Sequence, residues 1–137
     1  MKNIKEKLIY TFLFFLFLFI DQFTKHFVLK EQGALVFRNQ NFAFSLELPS
    51  FLMYLTYLVL LGLLLSWFVK KRNKRILDKL GFVLIISGAV SNIGERILNG
   101  FVIDFIHIQT GIFNIADFLI ILGMIFLFFS KEELIKS

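Results

Sequence analysis

Residues 88–117 read GAVSNIGERILNGFVIDFIHIQTGIFNIAD, a run in which polar and acidic side chains stand between two apolar segments. In its first part Gly88, Asn92 and Arg96 recur every four residues, and Ser87, Ser91 and Glu95 form the neighbouring stripe, the spacing of a helix face. The middle, FVIDFIHI, alternates as a strand does, and Gly111 marks a turn. FNIADFLII then opens another apolar helix. Two carboxylates fall in this stretch, Asp104 in the alternating run and Asp117 about one turn inside the helix that follows.

Composition sets the medium. The chain has 137 residues, 58% of them hydrophobic, with 20 Phe and one Pro, and a mean hydropathy of +0.78. It is too apolar for a water-soluble domain and too short for two domains, so a single membrane-embedded domain over 1–137 is expected. There is no Cys, which excludes disulfides and thiolate metal sites, and two His cannot build a usual zinc site. No metal or cofactor is expected. The net charge of +5 does not point to nucleic acid, because the basic residues sort by membrane side.

Lys2, Lys5 and Lys7 precede the apolar run Leu8–Ile20 in the manner of a signal peptide. No small-residue cleavage site follows, and the helix can continue through DQFTKHFVL to Leu29, about the ~20 residues that cross a bilayer. The expected spans are 8–29, 51–69, 80–96 and 113–129, the second carrying Tyr54 and Tyr57 at one end and Trp67 at the other as interfacial belts. The segment KKRNKRILDK holds six basic residues and both termini carry lysines, whereas 97–112 has neither Lys nor Arg. Both termini are therefore expected in the cytoplasm, with 30–50 and 97–112 outside. The fold class is all-α integral membrane, four transmembrane helices with a small extracytoplasmic β element.

Polar residues within spans are costly and ask for a reason. Asp21 and Lys25 are four apart and can neutralise one another. They are read either as an ion pair whose lysine snorkels to the headgroups or as substrate contacts. Asn92 and Arg96 lie toward the outer side, where they can orient a peptide backbone or a lipid headgroup. Asn114 and Asp117 suit an N-cap and the positive end of a helix. That leaves Asp104, whose neighbours Val102, Ile103, Phe105 and Ile106 are poor company for a lone carboxylate. Sharing one proton with Asp117 resolves this and makes a catalyst: one carboxylate draws a proton from water while its partner protonates the peptide.

These residues resemble the lipoprotein signal peptidase (signal peptidase II) family over nearly the whole chain. DQFTK at 21–25 resembles that family's Asp-Gln-x-x-Lys, and NQNFAFS at 39–45 its Asn-x-Gly-Ala-x-Phe. GAVSNIGER at 88–96 is similar to Gly-Ala-x-x-Asn-x-x-Asp-Arg, VIDF at 102–105 to Val-x-Asp-Phe, and FNIAD at 113–117 to Phe-Asn-x-Ala-Asp. The resemblance implies that Asp104 and Asp117 are catalytic. It implies supporting or substrate-facing roles for Asn39, Asn92, Arg96, Asn114, Asp21 and Lys25. It further implies a bacterial inner-membrane endopeptidase that cuts prolipoproteins before a diacylglyceryl-modified Cys, the site lying at the outer face. Membrane lipids are the other expected partner, and nothing requires an oligomer.

Three departures stand out. Asn41 and Phe42 occupy positions where the family has Gly-Ala, Glu95 replaces an Asp, and only 12 residues separate Asp104 from Asp117. The longer Glu95 arm is expected to be tolerated, and the changes bear on selectivity and inhibitor fit. Rival readings are a non-catalytic relative or assembly factor, and an ion pathway, which the clustering of acids at one face disfavours. A serine protease lacks an evident base for Ser45, Ser87 or Ser91 beyond His26 and His107.

Overall fold

In the computed structural model, residues 2–31, 36–41, 48–71, 74–109 and 111–132 are described. Phe42 and Ser45 lie outside the described residues. Four helices carry the chain: α1 Lys2–Glu31, α2 Ser50–Lys70, α3 Ile76–Asn99 and α4 Ile115–Glu132. The first three are long and apolar enough to cross a membrane, and the apolar part of α4, Ile115–Ser130, is shorter.

Solvation orders this bundle in reverse of a water-soluble one. Phenylalanines 12, 15, 19, 23 and 27 of α1 point outward, as do most large apolar residues of α2, an arrangement lipid accepts at no cost. The buried set is largely polar: Asp21, Lys25, Asp78, Ser87, Ser91, Asn92, Glu95 and Arg96 against few apolar residues such as Val83, Leu84 and Ala116. Without a hydrophobic drive between helices, close packing and polar contacts hold them together.

Helix α3 is the centre, packing most extensively on α4 and next on α1. Small residues let it approach α4. A Cβ on Gly88 would stand 2.5 Å from the Ala116 carbonyl oxygen, and one on Gly123 would stand 2.7 Å from the Gly81 carbonyl oxygen. The stripe Gly88, Asn92, Arg96 and its neighbour Ser87, Ser91, Glu95 are both buried, so glycine sets the helix spacing one turn before the amide of Asn92.

Gly100 ends α3 in the left-handed region at φ 79°, its N–H donating to the Arg96 carbonyl at 3.0 Å. Such a cap suits glycine, which has no Cβ to clash. The chain then reverses into β2, Val102–Asp104, which pairs antiparallel with β1, Phe37–Asn39, so that Asn39 faces Val102 and Phe37 faces Asp104. A second pair joins β3, Ile106–Ile108, to β4, Gly111–Phe113. The Phe105 N–H donates to the Phe113 carbonyl at 2.9 Å and links the two. The β element is thus two short two-stranded sheets. Because Phe113 closes β4, α4 begins at Ile115, and Asp117 sits in its first turn rather than a turn deep.

Candidate active site

The two sheets and three helix segments deliver all eight singled-out residues to one end of the bundle. Seven are buried, and Asp117 is half-buried. Asp104 is set by β2. Its Oδ2 accepts from Asn39 Nδ2 at 2.9 Å, the diagonal contact that antiparallel pairing gives residues on one face. Its Oδ1 accepts from Asn114 Nδ2 at 2.6 Å. Asn39 is itself fixed, since its Oδ1 accepts from the Asn41 N–H at 2.9 Å in an Asx-type turn.

Asp117 is set by the start of α4. Its Oδ2 accepts from the Asn114 N–H at 3.1 Å, and its own N–H donates to Asn114 Oδ1 at 3.0 Å. This reciprocal cap is the ordinary role that the spacing of these residues allows. Asp117 Oδ1 is free of the cap and accepts from Asn92 Nδ2 at 2.9 Å. Asn114 Nδ2 also reaches Asn92 Oδ1 at 3.2 Å. Asn114 therefore bridges α3, α4 and β2, and both carboxylates hang from one amide scaffold.

Beneath that scaffold lies a charge layer. Lys25 Nζ stands 2.7 Å from Asp21 Oδ2 and 2.8 Å from Glu95 Oε2, and donates to Asn92 Oδ1 at 3.0 Å. The snorkelling alternative is overturned: Lys25 is only 1% exposed, because two acids and an amide meet all three of its N–H groups inside the bundle. Asp21 Oδ2 also accepts from Ser91 Oγ at 2.5 Å, and Asp21 Oδ1 takes the Ala116 N–H at 2.7 Å. Ser91 is occupied as a donor, with Gln22 Nε2 donating to its oxygen at 2.7 Å. Glu95, one methylene longer than Asp, reaches both Lys25 and the Ile103 N–H, the latter at 3.4 Å.

Arg96 closes one side. Its Nη2 donates to the Asn41 carbonyl at 2.9 Å, its Nη1 to the Asn92 carbonyl at 3.4 Å, and its guanidinium lies 5.7 Å from the ring centre of Tyr57. Buried Arg96 Nε has no hydrogen-bond partner among the described residues. Tyr57, read above as an interfacial belt, is thus also a support for Arg96. Nothing in the sequence tied Gln22 to Ser91 or Tyr57 to Arg96, since these partners lie far apart in the chain.

The local charge count has Asp21, Glu95, Asp104 and Asp117 against Lys25 and Arg96, an excess of acid that retaining a proton relieves. Burial pushes the Asp104 carboxyl up to about 6, against the opposing hydrogen bonds from Asn39 and Asn114; the negative charge of Asp117 adds to the rise and Lys25 opposes it. The carboxylates can thus present a base and an acid together. Among the described residues no group of three or more His, Cys, Asp or Glu is placed to hold a metal ion. His107 lies apart on β3, its Nδ1 3.2 Å from the Phe105 carbonyl oxygen.

The family model described as "Signal peptidase (SPase) II" matches residues 13–131. The lipoprotein signal peptidase of Fusobacterium nucleatum is 28% identical over 157 residues, covering 98% of this chain and 95% of that protein. That of Clostridium tetani is 41% identical over 91 residues, 61% of this chain and 58% of that protein. Among solved structures, one titled as a bacterial membrane enzyme solved by the in meso method at 2.3 Å aligns with TM-score 0.75 at 21% identity. It covers 90% of this chain and 87% of that one, and the likeness is one of fold.

Proposed function

The chain belongs to the signal peptidase II family of aspartic peptidases, and on that premise we propose that it removes signal peptides from prolipoproteins with Asp104 and Asp117 as its catalytic pair. The observation that carries this reading is the shared scaffold, in which Asn114 bonds Asp104 at 2.6 Å and Asp117 through its cap. A pair fixed in this way can share one proton, and its titration belongs to both groups.

In the proposed reaction the ionised member takes a proton from water, and the resulting hydroxide forms the C–O bond to the scissile carbonyl carbon. The protonated member gives its proton to the carbonyl oxygen. Collapse of the tetrahedral intermediate breaks the C–N bond: one member of the pair gives a proton to the leaving amine while the other takes one from a hydroxyl of the intermediate, leaving the pair sharing one proton again. Asp117, the half-open member, faces the approach. Arg96 Nε, buried and without a hydrogen-bond partner among the described residues, is a donor for a substrate carbonyl. Asn39, Asn92 and Asn114 hold the acids, and Asp21 with Lys25 supports Asn92 and the start of α4.

The substrate on this reading carries a diacylglyceryl group on the Cys after the cut. A precursor anchored by its own apolar helix and two acyl chains reaches the site laterally, through lipid. The basic segment 70–79 and the Lys- and Arg-free segment 97–112 support a topology with both termini in the cytoplasm and the acids at the outer face. The whole chain acts as one domain, as a monomer. The test is to offer purified protein modified and unmodified precursor: cleavage of the modified form alone supports the reading, and equal cleavage of both refutes the lipid requirement.

A further inference from the structure

At the bundle end opposite Asp104 and Asp117, α1, α3 and the end of α2 line an open groove of about 610 Å³. Phe14, Phe68 and Phe82, one from each helix, make its apolar wall, with Phe68 and Phe82 stacked at 3.9 Å between ring centres. Among the described lining residues, lysines 7, 74 and 79 stand at its mouth against one acid, Glu6, which pairs with Lys79. Lys74 Nζ is held there by the Lys71 carbonyl at 2.8 Å and lies 5.0 Å from the Phe68 ring centre.

Depth gives the groove its meaning. Lys7 and Phe14 are seven residues apart on α1, and Lys79 and Ile86 are seven apart on α3, so each wall descends about 10 Å from charge to apolar floor. We propose that this is a binding site for one anionic phospholipid. The phosphate meets the lysine rim, and an acyl chain lies along Phe14, Phe82 and Ile86. Basic pockets between membrane helices suit such headgroups. The excess positive charge of the rim selects against a zwitterionic lipid, whose ammonium it repels, and against the basic leading end of a signal peptide.

The test uses the full chain in neutral detergent, titrated with phosphatidylglycerol, with phosphatidylcholine of the same acyl chains, or with inorganic phosphate, and read by native mass spectrometry and melting temperature. One phosphatidylglycerol is expected to be retained and to raise the melting temperature, while phosphatidylcholine and inorganic phosphate neither match nor displace it. Lys7→Gln with Lys74→Gln should weaken retention about thirtyfold, as two lysines beside an anionic headgroup imply. Ile86→Trp, which fills the groove and keeps every lysine, should weaken it as well. Equal retention of the two lipids, displacement by inorganic phosphate, or undiminished retention in either variant would overturn the proposal.

Discussion

Asn114 and Asp117 hold each other twice, the Asn114 N–H on Asp117 Oδ2 at 3.1 Å and the Asp117 N–H on Asn114 Oδ1 at 3.0 Å. The cap consumes one side-chain atom of each residue and leaves the other for the site: Asn114 Nδ2 for Asp104, and Asp117 Oδ1 for Asn92. A helix terminus thereby becomes a rigid mount for a pair of acids.

The two roles of Asn114 can be separated. Ser at this position can still cap α4 but has no amide to give Asp104, whereas Ala can do neither. Asn114→Ala should lose about 1 kcal/mol from the cap alone. Asn114→Ser, which keeps the cap but not the amide, should melt above Asn114→Ala and still lose turnover, by about 10-fold or more for the missing hydrogen bond. Parallel melting curves and rates for both variants check this.

Asp104 makes stability depend on pH. Its folded pKa of about 6 exceeds the ~3.9 of an unfolded chain, so ionising it opposes folding. The stabilising contribution is complete below about pH 4 and is lost as pH rises through about 6. Asp104→Asn removes that dependence, so the variant should gain on wild type between pH 4 and 8, by up to about 3 kcal/mol. Chemical or thermal unfolding in detergent at both pH values measures the difference. A difference independent of pH contradicts the assignment.

Among the described residues, Lys25 is the one cation paired with both Asp21 and Glu95. Lys25→Met strands two buried acids, a loss of about 3–5 kcal/mol. Adding Glu95→Gln to that variant should recover part of it, since one stranded charge is gone. Unfolding of the single and double variants gives the comparison.

Two glycines of α3 should behave oppositely. Gly88→Ala drives a methyl toward the Ala116 backbone, next to Asp117, and should cost about 1–3 kcal/mol together with activity. A Cβ at Gly94 meets nothing within 4 Å, so Gly94→Ala should be neutral or stabilising by roughly 0.5–1 kcal/mol. Melting temperatures of the pair decide.

Hydropathy alone made the membrane helices legible, and four-residue spacing showed that Gly88, Asn92 and Arg96 share a face. The acids of the site stood out because Asp104 and Asp117 sit among apolar neighbours. Other features depend on contacts distant in sequence. Asn39 joins Asp104 through a three-residue strand, too short to show a period. Lys25 was open between snorkelling and burial because Glu95 and Asn92, which meet its charge, lie some seventy residues away. Tyr57 carried the ordinary signal of an interfacial aromatic, and only the packing of α2 beside Arg96 gives it a second role.

The most direct measurement follows cleavage of a purified diacylglyceryl-modified prolipoprotein, as a gel shift, by wild type, Asp104→Asn and Asp117→Asn. Wild type should cut, and each variant should bind the precursor yet lose turnover by about 10³-fold or more, since the acid and the base act as a unit. Substantial cleavage by either variant, or a folded wild type inert on several modified precursors, would contradict the account.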